Sequence, residues 1–71
     1  MSAIGRIDAA DRLLTLREVL DTVGLSKAMV YRKIRGGSFP VQCKVGGTSS
    51  RWSQNEIEAW MAAQLAAREA A

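Results

Sequence analysis

Six cations and no acid occupy the middle of this chain. Lys27, Arg32, Lys33, Arg35, Lys44 and Arg51 fall between Asp21 and Glu56. Asp8, Asp11, Glu18 and Asp21 lie before that centre or at its edge, and Glu56, Glu58 and Glu69 close the other end. A basic centre with acidic ends attracts phosphate and orients the molecule as it approaches a polyanion. Charge alone would equally describe a solvated basic surface, so the spacing of the residues has to decide. Catalytic chemistry is poorly provided for. Histidine is absent and Cys43 is the single cysteine, which removes the commonest general base, the commonest zinc ligand and any internal disulfide. There is no phosphate-binding loop, dinucleotide fingerprint or cysteine cluster. Neither an enzyme nor a metal or cofactor site is expected.

Spacing favours recognition over plain solvation. In Leu25–Gly37, LSKAMVYRKIRGG, Val30 and Ile34 sit four apart with Leu25 in reach of the same layer, leaving Lys27, Tyr31, Arg32 and Arg35 facing out. Arg32 is the best placed to read a base, because a guanidinium bonds guanine O6 and N7 together. Lys27 and Ala28 share its face, Ala28 as a thymine-methyl contact or as a small residue that permits close approach. Ser26 is an N-cap whose end of the helix can also meet a phosphate. Tyr31 offers its hydroxyl to a phosphate while its ring lies on the edge of the core. Arg35 is expected to attract phosphate, and Lys33 to be solvated.

These side chains need a helix pair to hold them. Thr15 and Glu18 form a T-x-x-E capping box, and Leu16, Val19, Leu20 and Val23 follow at helical intervals. Gly24 ends that helix, and only Gly24 and Leu25 separate it from Ser26, so two helices meet at a tight angle. Gly36 and Gly37 close the second helix. The period then changes from helical to alternating. Val41, Cys43 and Val45 are expected on an inner face and Gln42 and Lys44 on an outer one. Gly46-Gly47-Thr48-Ser49 is turn chemistry, and Ser50-Arg51-Trp52 is the expected return strand. By this parity Lys44 and Arg51 both face outward, with Thr48 and Ser49 at the tip, and Cys43 is a buried thiol. Ser53 and Glu56 repeat the capping spacing for a last helix to about Arg68, with Ile57, Trp60, Met61 and Leu65 as its apolar stripe. Trp52 and Trp60 are expected in the core. The fold class is thus mainly α with a small β-hairpin: a winged helix-turn-helix of three helices and a two-stranded wing.

Seventy-one residues form one domain near the lower size limit for a hydrophobic core. Residues 1–12 are expected to be a loosely held arm, 13–68 the domain and 69–71 a frayed end. No apolar run approaches the length of a membrane span, and no leader pattern opens the chain, so a cytoplasmic protein is expected.

Four pieces of the sequence, taken in order, resemble the AlpA family of small phage-type regulators, relatives of excisionases and of the MerR-type winged helix-turn-helix. They are LREVLDTVGLSKAMVYRKI, GGSFP, KVGG leading into RW, and NEIEAW, spanning Leu14 to Trp60, about two-thirds of the chain. The resemblance implies a double-stranded DNA-binding protein of a prophage or integrative element, acting as an excision directionality factor, a transcriptional regulator or both. Two departures are visible. Ala28 and Met29 stand where the family often has Ser or Thr, and Thr48 and Ser49 stand where its wing often carries basic residues. An excision factor is expected to bend DNA and to meet an integrase. The polar arm and the Ala-rich last helix offer no dimer seam, so head-to-tail contacts along DNA are expected over a stable dimer. The competing expectation is an adaptor that uses the Ile57–Leu65 stripe to bind an integrase or polymerase subunit.

Overall fold

Thr15 and Gly24 set the limits of the first helix in a computed structural model that describes residues 11–70. The Thr15 hydroxyl accepts from the Glu18 amide at 3.2 Å, and the Glu18 carboxylate accepts from the Thr15 amide at 2.9 Å. Two otherwise unpaired amides at the helix start, those of Thr15 and Glu18, are therefore satisfied. This helix, α1, spans Leu16–Val23 and follows a two-residue strand, β1, Leu13–Leu14. Gly24 adopts φ 72°, the left-handed cap that lets the chain turn at once into the next helix.

That next helix, α2, spans Lys27–Arg35 and is capped by the Ser26 hydroxyl, which accepts from the Met29 amide at 3.2 Å. It ends in a Schellman motif: Ser38 N–H bonds the Lys33 carbonyl at 2.9 Å and Gly37 N–H the Ile34 carbonyl at 3.1 Å. Gly37 sits at φ 81° to make this possible. The chain then passes through Phe39 and Pro40 to β2, Cys43–Val45, and returns as β3, Ser49–Ser53. The last helix, α3, spans Gln54–Ala70.

The wing is the end of a three-stranded antiparallel sheet in the order β1-β3-β2. Leu13 pairs with Ser53 and Leu14 with Trp52, so the two leucines that lead into the domain also anchor the base of the hairpin. The core lies where α1, α2, the sheet and α3 meet. Val19, Val30, Trp52 and Ile57 are fully buried and Leu14 and Phe39 nearly so, forming one cluster to which every helix and the strands β1 and β3 contribute, while β2 stays outside it.

Three expectations change. Val41, Cys43 and Val45 do not face inward: all three are exposed, Val41 at 66%. Their inner-face role fails because the turn is one residue shorter than its chemistry suggests. Ser49 already belongs to β3 and pairs with Val45, which sets Cys43 opposite Arg51 instead of opposite Trp52. The apolar stripe of α3 is buried only in its first half. Ile57 is buried, Trp60 and Met61 are half-buried, and Leu65 is 55% exposed because α3 has by then run past the sheet. At the other end of the chain, Asp11 and Arg12 are fastened to the domain, while residues 1–10 of the expected arm lie outside the described residues. The Asp11 carboxylate accepts from the Ser53 hydroxyl at 2.5 Å and from the Asn55 amide at 3.0 Å, and the Arg12 carbonyl accepts from the Gln54 amide at 2.8 Å. Asp11 thus helps to cap α3, sharing the task with Ser53, whose hydroxyl accepts from the Glu56 amide at 3.2 Å.

Candidate nucleic-acid interface

Burying Val30 and half-burying Ile34 fixes the rotation of α2. Lys27, Ala28, Tyr31, Arg32 and Arg35 then share an arc of about 140° at the helical repeat. Lys27, Ala28, Arg32 and Arg35 are exposed, and Tyr31 is half-buried. The Tyr31 ring meets Trp52 edge-on, with centroids 6.3 Å apart and planes at 70°. This leaves one side of the tyrosine in the core and the other beside the basic strip. Lys27, Arg32 and Arg35 make no side-chain hydrogen bond or ion pair with a described residue. Nine residues of helix are about 14 Å long at 1.5 Å per residue, matched to a major groove about 12 Å wide.

The wing stands beside this helix on aromatic supports. Trp52 Nε1–H donates to the Pro40 carbonyl at 3.2 Å, and Trp60 Nε1–H to the Ser38 carbonyl at 2.7 Å. Phe39 packs against Trp60 with centroids 4.8 Å apart. These contacts pin the Ser38–Pro40 link between α2 and β2 from both ends. Beyond them Gly46 and Gly47, at φ 65° and 85°, make the tight loop, and Thr48 is exposed at its tip. Ser49 and Arg51 are half-buried in β3, and Lys44 is exposed on β2. Lys44 and Arg51 do not share a face. Cross-strand partners do share one, and the pairs are Lys44 with Ser50 and Cys43 with Arg51.

Acidic charge gathers elsewhere. Glu18, Asp21 and Glu58 line a cleft between α1 and α3, and Glu18 pairs with Arg12 at 2.7 Å. Hydrogen bonds from Thr15, chiefly its backbone amide, together with the Arg12 charge hold the Glu18 carboxyl below its ordinary pKa. Asp11 is likewise held low, first by the Ser53 hydroxyl and then by the Asn55 amide.

With α2, the hairpin and α3 in place, the comparison with known proteins is decisive. Residues 12–65 match the family described as prophage CP4-57 regulatory protein (AlpA). The chain belongs to the AlpA family. It is also 41% identical over 58 residues to a protein of Enterobacteria phage P4 that carries the name uncharacterized protein ORF88. The match covers 82% of this chain and 66% of that relative, so the AlpA-family chain spans just under two-thirds of the relative's length. No solved structure matches.

In this AlpA-family chain the structure brings Lys27, Ala28, Tyr31, Arg32 and Arg35 onto one surface, with Ser26 exposed at its N-terminal end. It sets Thr48 and Ser49 on the wing and divides Lys44 from Arg51. Sequence reasoning passed over the capping role of Asp11, which depends on Ser53 and Asn55, more than forty positions away. It also passed over Ser50, which accepts a hydrogen bond from Lys44 at 2.9 Å. The signal for the two Trp supports was available: a buried indole N–H needs an acceptor, and Ser38–Pro40 lies next to an exposed turn. Among the described residues no cluster of His, Cys, Asp and Glu could hold a metal ion, and no helix is long and apolar enough to cross a membrane.

Proposed function

We propose that this chain binds double-stranded DNA sequence-specifically as a prophage or integrative-element protein, acting as an excision directionality factor, a transcriptional regulator or both. α2 enters the major groove, and the wing, Gly46 to Arg51, rests on the adjacent minor groove or backbone. One observation carries the reading: the exposed strip of α2 holds three cations with no partner among the described residues. Arg32 reads a base, Lys27 and Ala28 approach base edges, and Ser26, Tyr31 and Arg35 meet phosphates. Lys44, Thr48, Ser49 and Arg51 supply the wing. Membership in a family of prophage regulatory proteins supports the same assignment.

The test is binding to random-sequence duplex DNA across salt concentrations, followed by selection of the preferred sequence. Contacts to three to five phosphates give a log–log slope of about −2.7 to −4.5 for B-DNA. Arg32→Ala weakens binding to the selected site more than to random duplex. No binding at low salt overturns the reading. An excision factor additionally bends its DNA, occupies adjacent sites head-to-tail and meets its integrase, whereas a regulator acts from one operator. Electrophoretic phasing on the selected site separates the two.

A second reading has one observation in its favour, the 55% exposure of Leu65 on the free half of α3. An adaptor that docks an integrase or polymerase subunit there keeps its function when Lys27→Ala and Arg32→Ala are combined and loses it with Leu65→Ser.

A further inference from the structure

The hairpin register sorts the wing into two faces of different chemistry. Trp52 is fully buried among residues of α1, α2 and α3 and its ring meets Tyr31, so the face of β3 that carries Trp52 is the one turned toward the helices, α2 among them. Ser50, two residues earlier on the strand, shares that face. Lys44 is its cross-strand partner and lies there too. Arg51 and its partner Cys43 occupy the reverse.

On the helix-facing side, Lys44 Nζ donates to Ser50 Oγ at 2.9 Å. Ser50 acts there as an acceptor, so its own O–H proton remains free to donate. The ammonium has used one of its three N–H groups. Together the pair offers unused donors and one positive charge at a single point, and neither residue is bonded to a carboxylate. The cross-strand hydrogen bond also holds the flexible lysine in place before anything binds, which lowers the ordering cost of a contact. On the reverse face Arg51 is half-buried and lies along its own strand, with Nη1 donating to the Ser50 carbonyl at 2.9 Å.

We propose that Lys44 and Ser50 form the wing's seat for one phosphodiester group of duplex DNA, and that Arg51 does not contact that group. This rests on the DNA-binding reading and refines it. Among the wing residues, Lys44 with Ser50 makes the backbone contact on the Trp52 side of the hairpin, and Arg51 faces the reverse. Ser50 joins the interface.

The experiment compares salt dependence of binding to one random-sequence duplex for the native chain, Lys44→Ala, Lys44→Arg, Ser50→Ala, Arg51→Ala and Arg17→Ala. Arg17 is an exposed cation on α1 and serves as the charge-matched control. Circular dichroism first establishes that each variant keeps the native helical signal. Lys44→Ala is expected to reduce the steepness of the log–log slope by about 0.9, the share of one phosphate, and Lys44→Arg to restore it. Ser50→Ala removes a neutral donor, so binding weakens about three- to tenfold while the slope holds. Arg17→Ala, outside the interface, changes the slope by less than half as much as Lys44→Ala, and Arg51→Ala changes it by less than Lys44→Ala does. The proposal is overturned if Arg51→Ala matches or exceeds Lys44→Ala, or if Ser50→Ala binds like the native chain. Native binding with an unchanged Lys44→Ala slope sinks this seat alone, whereas a native chain that does not bind removes the DNA-binding reading with it.

Discussion

Trp52→Phe is the substitution that most directly tests how this small domain holds its wing against α2. Trp52 is fully buried, edge-on to Tyr31, and donates to the Pro40 carbonyl. Replacing indole by phenyl removes buried apolar surface worth about 1 kcal/mol and opens space that the packed cluster closes only in part. The lost hydrogen bond contributes about 1 kcal/mol more, since the carbonyl it satisfied is left facing the phenyl ring. The expected loss is about 2–3 kcal/mol, a large part of the 5 kcal/mol or so that a domain at the lower end of the usual range possesses. For a domain of this size it corresponds to a fall in Tm of about 10–20 °C. Trp60→Phe is the matched control. Trp60 is half-buried and its acceptor belongs to an exposed residue, Ser38, so water replaces the lost donor and the cost is about 1 kcal/mol or less. Thermal and urea unfolding followed by circular dichroism would measure both. A Trp60→Phe loss equal to or greater than that of Trp52→Phe would refute the assignment of Trp52 as the central support.

Acid should weaken the fold through two carboxyls. Asp11 and Glu18 both titrate below their ordinary values when folded. Each therefore stabilises the folded state above its unfolded pKa, and that contribution fades as pH falls through the lowered folded value. The urea midpoint should drop from about pH 5 downward, and Asp11→Asn should lower it at neutral pH and flatten the acid limb. Identical acid limbs in the two proteins would show that Asp11 does not fasten α3. At Cys43 the expectation is the reverse of a core residue's. Cys43→Ser should change stability by less than about 0.5 kcal/mol, and the thiol should react with a disulfide reagent in the native protein as fast as in urea. Protection of the thiol in the folded chain would return it to the interior.

Most of the helical frame was legible because its determinants are local. Thr15 with Glu18, Gly24, Ser26 and the two glycines after Arg35 each act within a turn of where they stand, and each sits where its spacing placed it. The candidate face of α2 followed from the same locality: once Val30 and Ile34 turn inward, the strip from Lys27 to Arg35 has nowhere to point but out. Asp11 was not legible, because nothing within a few residues of it announces that its partners are Ser53 and Asn55. Its position beside β1 depends on the sheet already being formed. Leu65 misled for a related reason. Helical periodicity continues along α3 after the sheet it packs on has ended, so the pattern outlasts the surface that would bury it.

The wing shows how little separates a right reading from a wrong one. Gly46, Gly47, Thr48 and Ser49 are all plausible turn residues, and a four-residue turn would pair Val45 with Ser50 and turn Cys43 toward the side of Trp52. The observed loop is shorter by Ser49, and that single position exchanges the faces of β2. Burial settles the register. A fully buried Trp52 gains far more from the core than Val41, Cys43 and Val45 would gain from the thin edge of a two-stranded ribbon, so Trp52 and β3 define the inner face and β2 must conform. The consequence is functional as well as structural. The alternation expected to form a small hydrophobic face instead leaves Cys43 and Val45 in water, and puts Lys44 with Ser50 on the face of the hairpin that carries Trp52.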